Sequence, residues 1–343
     1  MAARLSSLLR GSLAGSGLFR ALPFARAYRG VILMCHRVVS DEVQLRDHPL
    51  TGGLWVSTAK LETSFDYFSR QGYCLLSLAE AIERIEKSDS RGSPFIVYTF
   101  DDGFVEIAEL VQPLFHRAGV PFTAFIPSGI FTSNWVSWPY MLEALLLREG
   151  LPPRTAEAFG IAPEVRRSLA AQFEACSALF IDADSLACAS RLMNALNVSC
   201  LRSSPEVKCL LSHDQVRRLA SDSVATVAGH TRNHLALGRL PPESAITEVI
   251  VGNQELADVS GQGVEFFSYP YGSLPRGCDD SVQALKLMQI RAAVTTKYAC
   301  VTSAHTGQTA FLPRFNLSED VPLDHLDVRF NRIMDAIKRV VGR

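Results

Sequence analysis

The sequence predicts an α/β fold built on parallel strands, and three observations support this prediction. Apolar, β-branched runs of strand length alternate with stretches that repeat apolar residues at helical spacing. The turns between them are short, which is typical of βαβ units with right-handed crossovers. Several apolar runs also end abruptly in charged or imidazole side chains, at the strand ends where α/β folds carry ligand sites.

The predicted strands are apolar runs bounded by polar turns, glycine or proline, and most read as buried on both faces. The run before Asp101 is the clearest, because it stops at two adjacent carboxylates and a glycine. In chain order the predicted strands are Val31–Cys35, Tyr73–Leu76, Phe95–Phe100, Pro121–Pro127, Val224–Ala228, the run from Phe266 into the turn at Gly272, Ala292–Thr296 and Phe311–Phe315.

The predicted helices carry apolar residues three and four positions apart, and two begin at a residue that can cap the first turn: Ser57 or Thr58 in one, Ser77 in the other. Between residues 130 and 212 the alternation of strand and helix lapses into helical patches, which we interpret as a helical insertion. In chain order the predicted helices are Ser57–Gly72, Leu78–Ile85, Ile107–Phe115, Met141–Leu147, Val165–Phe180, Leu186–Leu196, His213–Leu219, Pro242–Val259, Val282–Met288 and Leu326–Val341.

Three aromatic residues of the insertion, Trp135, Trp138 and Tyr140, suit two roles. They could line a sugar site, or they could pack the insertion onto the rest of the fold. Packing is the more common use of such residues, so we favour it as the interpretation.

The composition excludes several classes of protein. Of 343 residues, 48% are hydrophobic and 20% charged, which is ordinary for a globular chain with a large core. The 34 Lys and Arg nearly balance the 35 Asp and Glu, which argues against nucleic acid as a partner. No stretch has the ~20 apolar residues of a membrane span, so we predict no transmembrane segment.

The N-terminal residues and the cysteines bear on location. Residues 1–29 place arginines between short apolar segments, with no apolar stretch of signal-peptide length. They predict a basic, flexible leader, with weak peripheral membrane contact as the alternative. Eight scattered cysteines without a CxxC pair favour reduced thiols. Together these features predict a cytoplasmic location.

Polar side chains stand at four predicted strand ends. Adjacent carboxylates at Asp101 and Asp102 repel each other unless a cation or separate partners relieve them. His230 and His234 follow a strand and a glycine, so both can reach one ion. With one carboxylate they form a His2Asp set that leaves a coordination position for water, as in hydrolytic zinc sites. The remaining strand ends carry His36 and the turn Tyr269–Gly272.

Three motifs carry a resemblance to a known family. Thr99–Gly103, then His230–His234, then Pro270–Gly272 resemble the leading motifs of the polysaccharide deacetylases, also called the NodB-homology domain or carbohydrate esterase family 4. The resemblance covers about residues 30 to 315 and implies a distorted, seven-stranded (β/α) barrel. The implied organisation is the leader 1–29, a barrel 30–325 with the helical insertion 130–212, and a C-terminal helix 326–343.

The resemblance also implies roles for the motif residues. Asp101 is expected to be the catalytic base, and Asp102 is expected to hold a divalent metal with His230 and His234. The backbone N–H of Tyr271 is expected to bind the oxyanion. The implied ion is Zn²⁺, with Co²⁺ or Ni²⁺ as alternatives.

The chain departs from the family pattern at two positions. The third motif normally carries an arginine that pairs with the base, but Ser268 stands there, and we identify Arg314 as the candidate substitute. The family's late histidine motif, which supplies a general acid, is missing after Gly272. His36 matches members that resemble poly-N-acetylglucosamine deacetylases and carry this histidine at the N-terminal end of the domain.

The function that follows is metal-dependent removal of N-acetyl groups from an N-acetylated carbohydrate in a bacterial-type surface glycan pathway. A first alternative is an amidohydrolase acting on a small non-sugar amide, because the arginine of the third motif is missing. A second is an inactive relative that binds glycans. The sequence leaves the oligomeric state open.

Overall fold

The computed structural model of the chain describes residues 28–40, 42–87, 93–132, 137–162, 164–165, 168–182, 210–272, 285–286 and 288–327. The predicted leader, the predicted helix Leu186–Leu196 and nearly all of the predicted C-terminal helix lie outside these residues. The strands are β1 Tyr28–Cys35, β2 Arg37–Val39, β3 Trp55–Ser57, β4 Cys74–Leu75, β5 Phe95–Phe100, β6 Phe122–Ile126, β7 Ala225–Gly229, β8 Phe266–Ser268, β9 Ala292–Val294, β10 Val301–Thr302 and β11 Phe315–Asn316.

The helices lie between these strands, and a π-helical turn, Ile107–Val111, precedes the third of them. None of the helices in the described ranges combines the length and the apolar character needed to cross a bilayer. The α-helices are α1 Thr58–Arg70, α2 Leu78–Glu86, α3 Gln112–Ala118, α4 Gly129–Thr132, α5 Trp138–Glu149, α6 Pro153–Ala158, α7 Leu169–Asp182, α8 His213–Ser221, α9 Pro242–Ser260 and α10 Leu323–Leu326.

The strands form one large sheet whose main path is β10-β1-β5-β6-β7-β8-β9, with β4 joined to β5 and β11 joined to β1. Every pairing in this sheet is parallel except that of β1 with β10. The path of seven strands curves into a half-barrel with helices along it, which confirms the predicted distorted (β/α) barrel. A separate parallel pair joins β2 to β3.

The segment around Arg314 brings the two edges of the half-barrel together. Leu312 forms a parallel bridge with Val294 of β9, and Phe315 pairs with Leu33 of β1. The segment is therefore held by β9 on one side and by β1 on the other, with Arg314 between the two contacts. Arg314 is 1% exposed and lies inside.

The predicted caps at Ser57 and Ser77 are confirmed, and the structure adds a third at Ser212. Ser57 accepts a hydrogen bond from the Lys60 N–H at 3.1 Å and caps α1. Ser77 and Ser212 each form a capping box, with the side chains of Glu80 and Gln215 respectively bonding back to the cap backbone. These caps fix where each crossover helix begins, and so how long each loop at the strand ends can be.

The insertion packs on itself, and a buried carboxylate of α5 bonds to the loop before β3. Leucines of α5 and Cys176 of α7 share an apolar cluster. Glu143 of α5 is buried and accepts hydrogen bonds from the Leu50 N–H at 2.6 Å, the Thr51 N–H at 2.9 Å and the Thr51 hydroxyl at 2.6 Å. Burial alone would raise the pKa of Glu143, but these bonds and His48 hold the pKa below its usual value. A buried, fully bonded carboxylate fixes α5 against the loop before β3.

Candidate active site

The predicted strand ends meet at the carboxyl edge of the sheet. Cys35 pairs with Phe100, and the Asp101 N–H donates to the Cys35 carbonyl at 2.9 Å, so His36 and Asp101 follow their strands at the same level. On the other side, His230 follows the end of β7 next to β8. Parallel register therefore gathers residues that are far apart in the sequence.

Asp101 is held by Arg314 in a buried, two-pronged ion pair. Arg314 Nη1 lies 2.7 Å from Asp101 Oδ1, and Nη2 lies 2.7 Å from Oδ2. The remaining guanidinium hydrogens reach the Thr99 hydroxyl at 3.0 Å, the Ser268 hydroxyl at 2.9 Å and the Thr295 carbonyl at 3.0 Å. The geometry matches the planar fork of arginine, which lysine cannot reproduce.

Ser268 contributes to the same arrangement. Its hydroxyl lies 3.3 Å from Asp101 Oδ2 and accepts from Arg314, so the small side chain leaves room for a guanidinium that enters from the opposite edge of the barrel. Arg314 thus lies where the sequence analysis sought a substitute for the missing arginine of the third motif.

The pairing determines the charge of Asp101. Burial alone would raise the pKa of this carboxyl, but the Arg314 guanidinium, its hydrogen bonds and the neighbouring His230 and His36 hold the pKa below its usual value. Asp101 is therefore ionised at neutral pH and available to accept a proton.

We expect Arg314→Gln to lower the free energy of unfolding by about 3–5 kcal/mol, because it leaves a buried carboxylate without its cation. The pKa of Asp101 should rise, so the acid limb of a kcat/KM profile should move to higher pH. The sign follows because Asp101 has a lowered pKa in the folded chain, so its contribution to stability exists above its unfolded pKa and is lost as pH falls through the folded one. Urea unfolding at several pH values measures the loss of stability, and its pH dependence reports the pKa of Asp101.

The control is Arg291→Gln, which breaks the exposed pair with Glu265 and should cost at most about 1 kcal/mol. Arg314→Lys should lie between the two, since it keeps the charge and loses the fork. An unfolding free energy unchanged by Arg314→Gln would contradict the pairing.

Asp102, His230 and His234 form the one three-residue group among the described residues whose ligand atoms could hold a metal ion, with those atoms within 4.8 Å of one another. Asp102 Oδ1 lies 3.4 Å from His230 Nε2 and 3.1 Å from His234 Nε2. This oxygen is buried and has no hydrogen-bond partner in the described part of the chain. A buried carboxylate oxygen without a donor, facing two imidazole nitrogens, fits a divalent cation.

The other ring nitrogens orient the two imidazoles. His230 Nδ1 lies 2.7 Å from the Ser268 carbonyl, which can only accept, so Nδ1 carries the proton and Nε2 presents its lone pair. His234 Nδ1 lies 3.2 Å from the Tyr271 hydroxyl. Burial would raise the pKa of Asp102, but the neighbouring imidazoles of His234, His230 and His36 hold the pKa well below its usual value.

The backbone around these residues is strained. Of the five non-glycine residues with positive φ in the described ranges, four belong to the motifs: Asp102, Thr231, His234 and Tyr271. Such conformations cost ~1–3 kcal/mol each and persist where surrounding contacts impose them, which is common at functional sites.

One of those contacts comes from α9, which the motifs did not reveal. Glu248 is 8% exposed and accepts from the Asn233 N–H at 2.8 Å and from Asn233 Nδ2 at 2.7 Å. Gly252 lets α9 approach closely, because a Cβ there would lie 2.5 Å from the Thr231 carbonyl carbon. These contacts depend on helix packing, and a glutamate and a glycine inside a helix give no sequence signal for them.

His36 lies beside the carboxylates, but in an environment that favours the neutral ring. Burial lowers the pKa of His36, and the opposing charges of Asp102 and Asp101 do not restore it. Its Nδ1 is buried without a hydrogen-bond partner among the described residues. The imidazolium that the general-acid role requires is therefore formed at a lower pH than in an ordinary histidine.

The aromatic residues of the insertion do not share one role: one packs the insertion onto the barrel and another reaches the candidate site. Tyr140 is buried and packs edge-on against Trp55 and Phe104, as expected for packing. Trp138 instead reaches the site, where its indole N–H donates to the Tyr271 hydroxyl at 2.7 Å. Trp135 lies outside the described residues.

Comparison with known proteins was made by sequence and by structure. Residues 88–293 match the family model described as polysaccharide deacetylase. No curated protein matches the chain by sequence. The fold is similar to that of a Streptococcus pyogenes deacetylase, PplD, solved in complex with acetate, with a TM-score of 0.55 and 15% identity over 88% of this chain and 97% of that one.

Two further solved structures show the same fold. IcaB from Ammonifex degensii has a TM-score of 0.54 and 16% identity over 85% of this chain and 93% of that one. A de-N-acetylase from Aggregatibacter actinomycetemcomitans has a TM-score of 0.54 and 13% identity, covering 86% of this chain and 97% of that one. At these identities the likeness establishes the fold alone.

Proposed function

This chain belongs to the polysaccharide deacetylase family, and on that premise we propose that it removes N-acetyl groups from an N-acetylated sugar with a bound divalent metal. The observation that supports the proposal best is the pair of adjacent aspartates in unlike surroundings. Asp102 faces His230 and His234, whereas Asp101 is held by Arg314. One carboxylate is therefore suited to a metal and the other to a proton.

The metal would be held by Asp102, His230 and His234. We propose Zn²⁺, with Co²⁺ or Ni²⁺ as alternatives, because two imidazoles and one carboxylate are typical of hydrolytic zinc sites. When bound, the ion supplies Lewis acidity toward the amide carbonyl and toward water.

The chain's own residues account for the proton transfers. Asp101 takes a proton from the attacking water as the new C–O bond forms at the acetamide carbon, and the Tyr271 backbone N–H donates to the developing oxyanion. His36 then gives a proton to the nitrogen as the C–N bond breaks. The products are acetate and a free amino sugar. Arg314 keeps Asp101 ionised until it takes this proton, and its two hydrogen bonds fix the direction of the carboxylate.

The predicted role of His36 gives a test by pH. We expect His36→Ala to reduce turnover by ~10²–10⁴-fold with little loss of bound metal, because it removes a general acid and no ligand. In the parent enzyme, activity should fall as pH rises through the pKa of this acid, and that limb should lie below the pH of an ordinary histidine because burial lowers the pKa. The pH profile of kcat/KM measures the limb, and an unchanged rate in His36→Ala would return the residue to a structural role.

The function itself is tested by metal analysis together with acetate release from N-acetylglucosamine oligomers. Acetate release that depends on the metal supports the proposal. If purified protein with bound metal releases no acetate from any acetylated glycan, the proposal is contradicted and an inactive, glycan-binding relative is favoured.

The small-amide alternative loses one of its arguments, the arginine missing at Ser268, because Arg314 supplies a guanidinium to Asp101. Acetate release from a simple N-alkylacetamide at the rate seen with sugar oligomers would restore it.

A further inference from the structure

The insertion reaches the candidate site through Trp138, and the residue it contacts there is Tyr271. The family motif uses this tyrosine through its backbone N–H, which leaves the side chain without a role. Its ring lies edge-on to His234, with the ring centroids 4.8 Å apart. Trp138 and Tyr271 are both half-buried, so part of each residue remains exposed to solvent.

The direction of the Tyr271 side chain is imposed by a tight turn. Tyr271 has φ 57° and ψ 11°, and Gly272 follows with φ 63°. The Thr296 hydroxyl donates to the Tyr271 carbonyl at 3.3 Å, and a Cβ at Gly272 would lie 2.1 Å from the Thr296 hydroxyl oxygen. The turn therefore has little room to relax, and the phenol is presented in one place.

The two contacts of the phenol oxygen are both with nitrogens. The Trp138 indole nitrogen, 2.7 Å away, can only donate. His234 Nδ1 lies 3.2 Å away, while its Nε2 faces Asp102 Oδ1 at 3.1 Å. If Nε2 is to present a lone pair to an ion, the ring proton must sit on Nδ1, and Nδ1 then donates to Tyr271.

The consequence concerns the tyrosine's own proton. Accepting from Trp138 and from His234 uses both lone pairs of the phenol oxygen, so its O–H must donate elsewhere. Among the described residues the hydroxyl has hydrogen-bond contacts with these two nitrogens and with no acceptor. A polar hydrogen held in a fixed direction at a partly open site is suited to an oxygen of a bound ligand.

We propose that the Tyr271 O–H donates to a sugar oxygen of the unit that carries the acetamide, that Trp138 positions this donor, and that the Trp138 ring contacts the sugar face. The inference rests on the proposed function and deepens it, since it assigns the insertion a part in substrate recognition. A site that hydrogen-bonds a sugar oxygen discriminates against amides that lack one. Aromatic rings beside such a donor offer the apolar surface that sugar rings cover.

The test uses two variants in the zinc-loaded enzyme at saturating zinc, with the N-acetylglucosamine tetramer as the probe. We expect Tyr271→Phe to raise KM by about three- to tenfold, the effect of one neutral hydrogen bond. Trp138→Phe keeps an aromatic ring at position 138 and leaves the contact between Tyr271 and His234 in place, so it should raise KM by a smaller factor and leave zinc affinity unaltered. Tyr298→Phe is the matched control, because this tyrosine is 60% exposed and packs on Phe315.

A second readout does not depend on turnover. Calorimetric binding of the tetramer to Asp101→Asn protein should weaken by the same factors when Tyr271→Phe or Trp138→Phe is added. Tetramer binding and KM unaltered by Tyr271→Phe at saturating zinc would overturn the inference and leave the phenol as a support for His234. Failure of the proposed function looks different, because then the parent enzyme itself neither binds the tetramer nor releases acetate.

Discussion

Asp101→Asn is expected to lower deacetylation by about 10²–10⁴-fold while the metal stays bound, because the change removes the base and none of the ligands. The side chain keeps its size, and its carbonyl oxygen can still accept from Arg314. The measurement pairs acetate release with metal content of the same preparation. Retained turnover would overturn the assignment of Asp101 as the base.

The structure adds a second expectation for this variant. Arg314 is 1% exposed, and it would then face a neutral partner in the protein interior. Breaking a buried pair from one side costs about 3–5 kcal/mol in typical cases, so part of this loss should be seen in urea unfolding. Activity is therefore to be measured well below the unfolding transition. Asp222→Asn is a suitable control, because Asp222 bonds with Gln112 and His116 at the helix ends and should leave turnover unchanged.

Asp102→Ala should lose the metal, and activity with it. The variant removes one of only three candidate ligands, and even an outer-shell partner of a metal ligand is worth 10–100-fold in affinity, so we expect a loss greater than about 100-fold. His234→Ala should behave alike. Zinc competition against a chelator measures the affinity directly, without reference to turnover.

Two controls separate loss of the ion from loss of the fold. Asp101→Asn alters the neighbouring carboxylate and should retain zinc, while His116→Ala removes a histidine that is 64% exposed and should also retain it. Zinc affinity that stays at the parent value in both Asp102→Ala and His234→Ala would contradict the proposed ligand set.

Much of the fold and of the ligand set could be predicted because the signals are local. The run Phe95–Phe100 is buried at every position, and serine caps begin the helices where the sequence indicates. Parallel strands with short crossovers bring their carboxyl ends to one edge, so residues that end such runs must be neighbours. That reasoning brings together Asp102, His230 and His234 without knowledge of any contact.

The tertiary structure decided what supports these residues. Arg314 lies 213 positions from Asp101 and reaches it only because the last strand segment bridges the two edges of the half-barrel. Trp138 and Glu248 reach the site through helix packing, and no local pattern distinguishes them from ordinary packing or surface residues.

The sequence by itself therefore determined which residues can carry the chemistry, since strand ends and motifs are properties of short segments. The structure alone decided which side chains orient them, because those contacts depend on how the sheet closes and how the helices and the insertion pack against it. The two aspartates show the difference. Their adjacency follows from the sequence, but their different partners are brought to them only by the folded barrel.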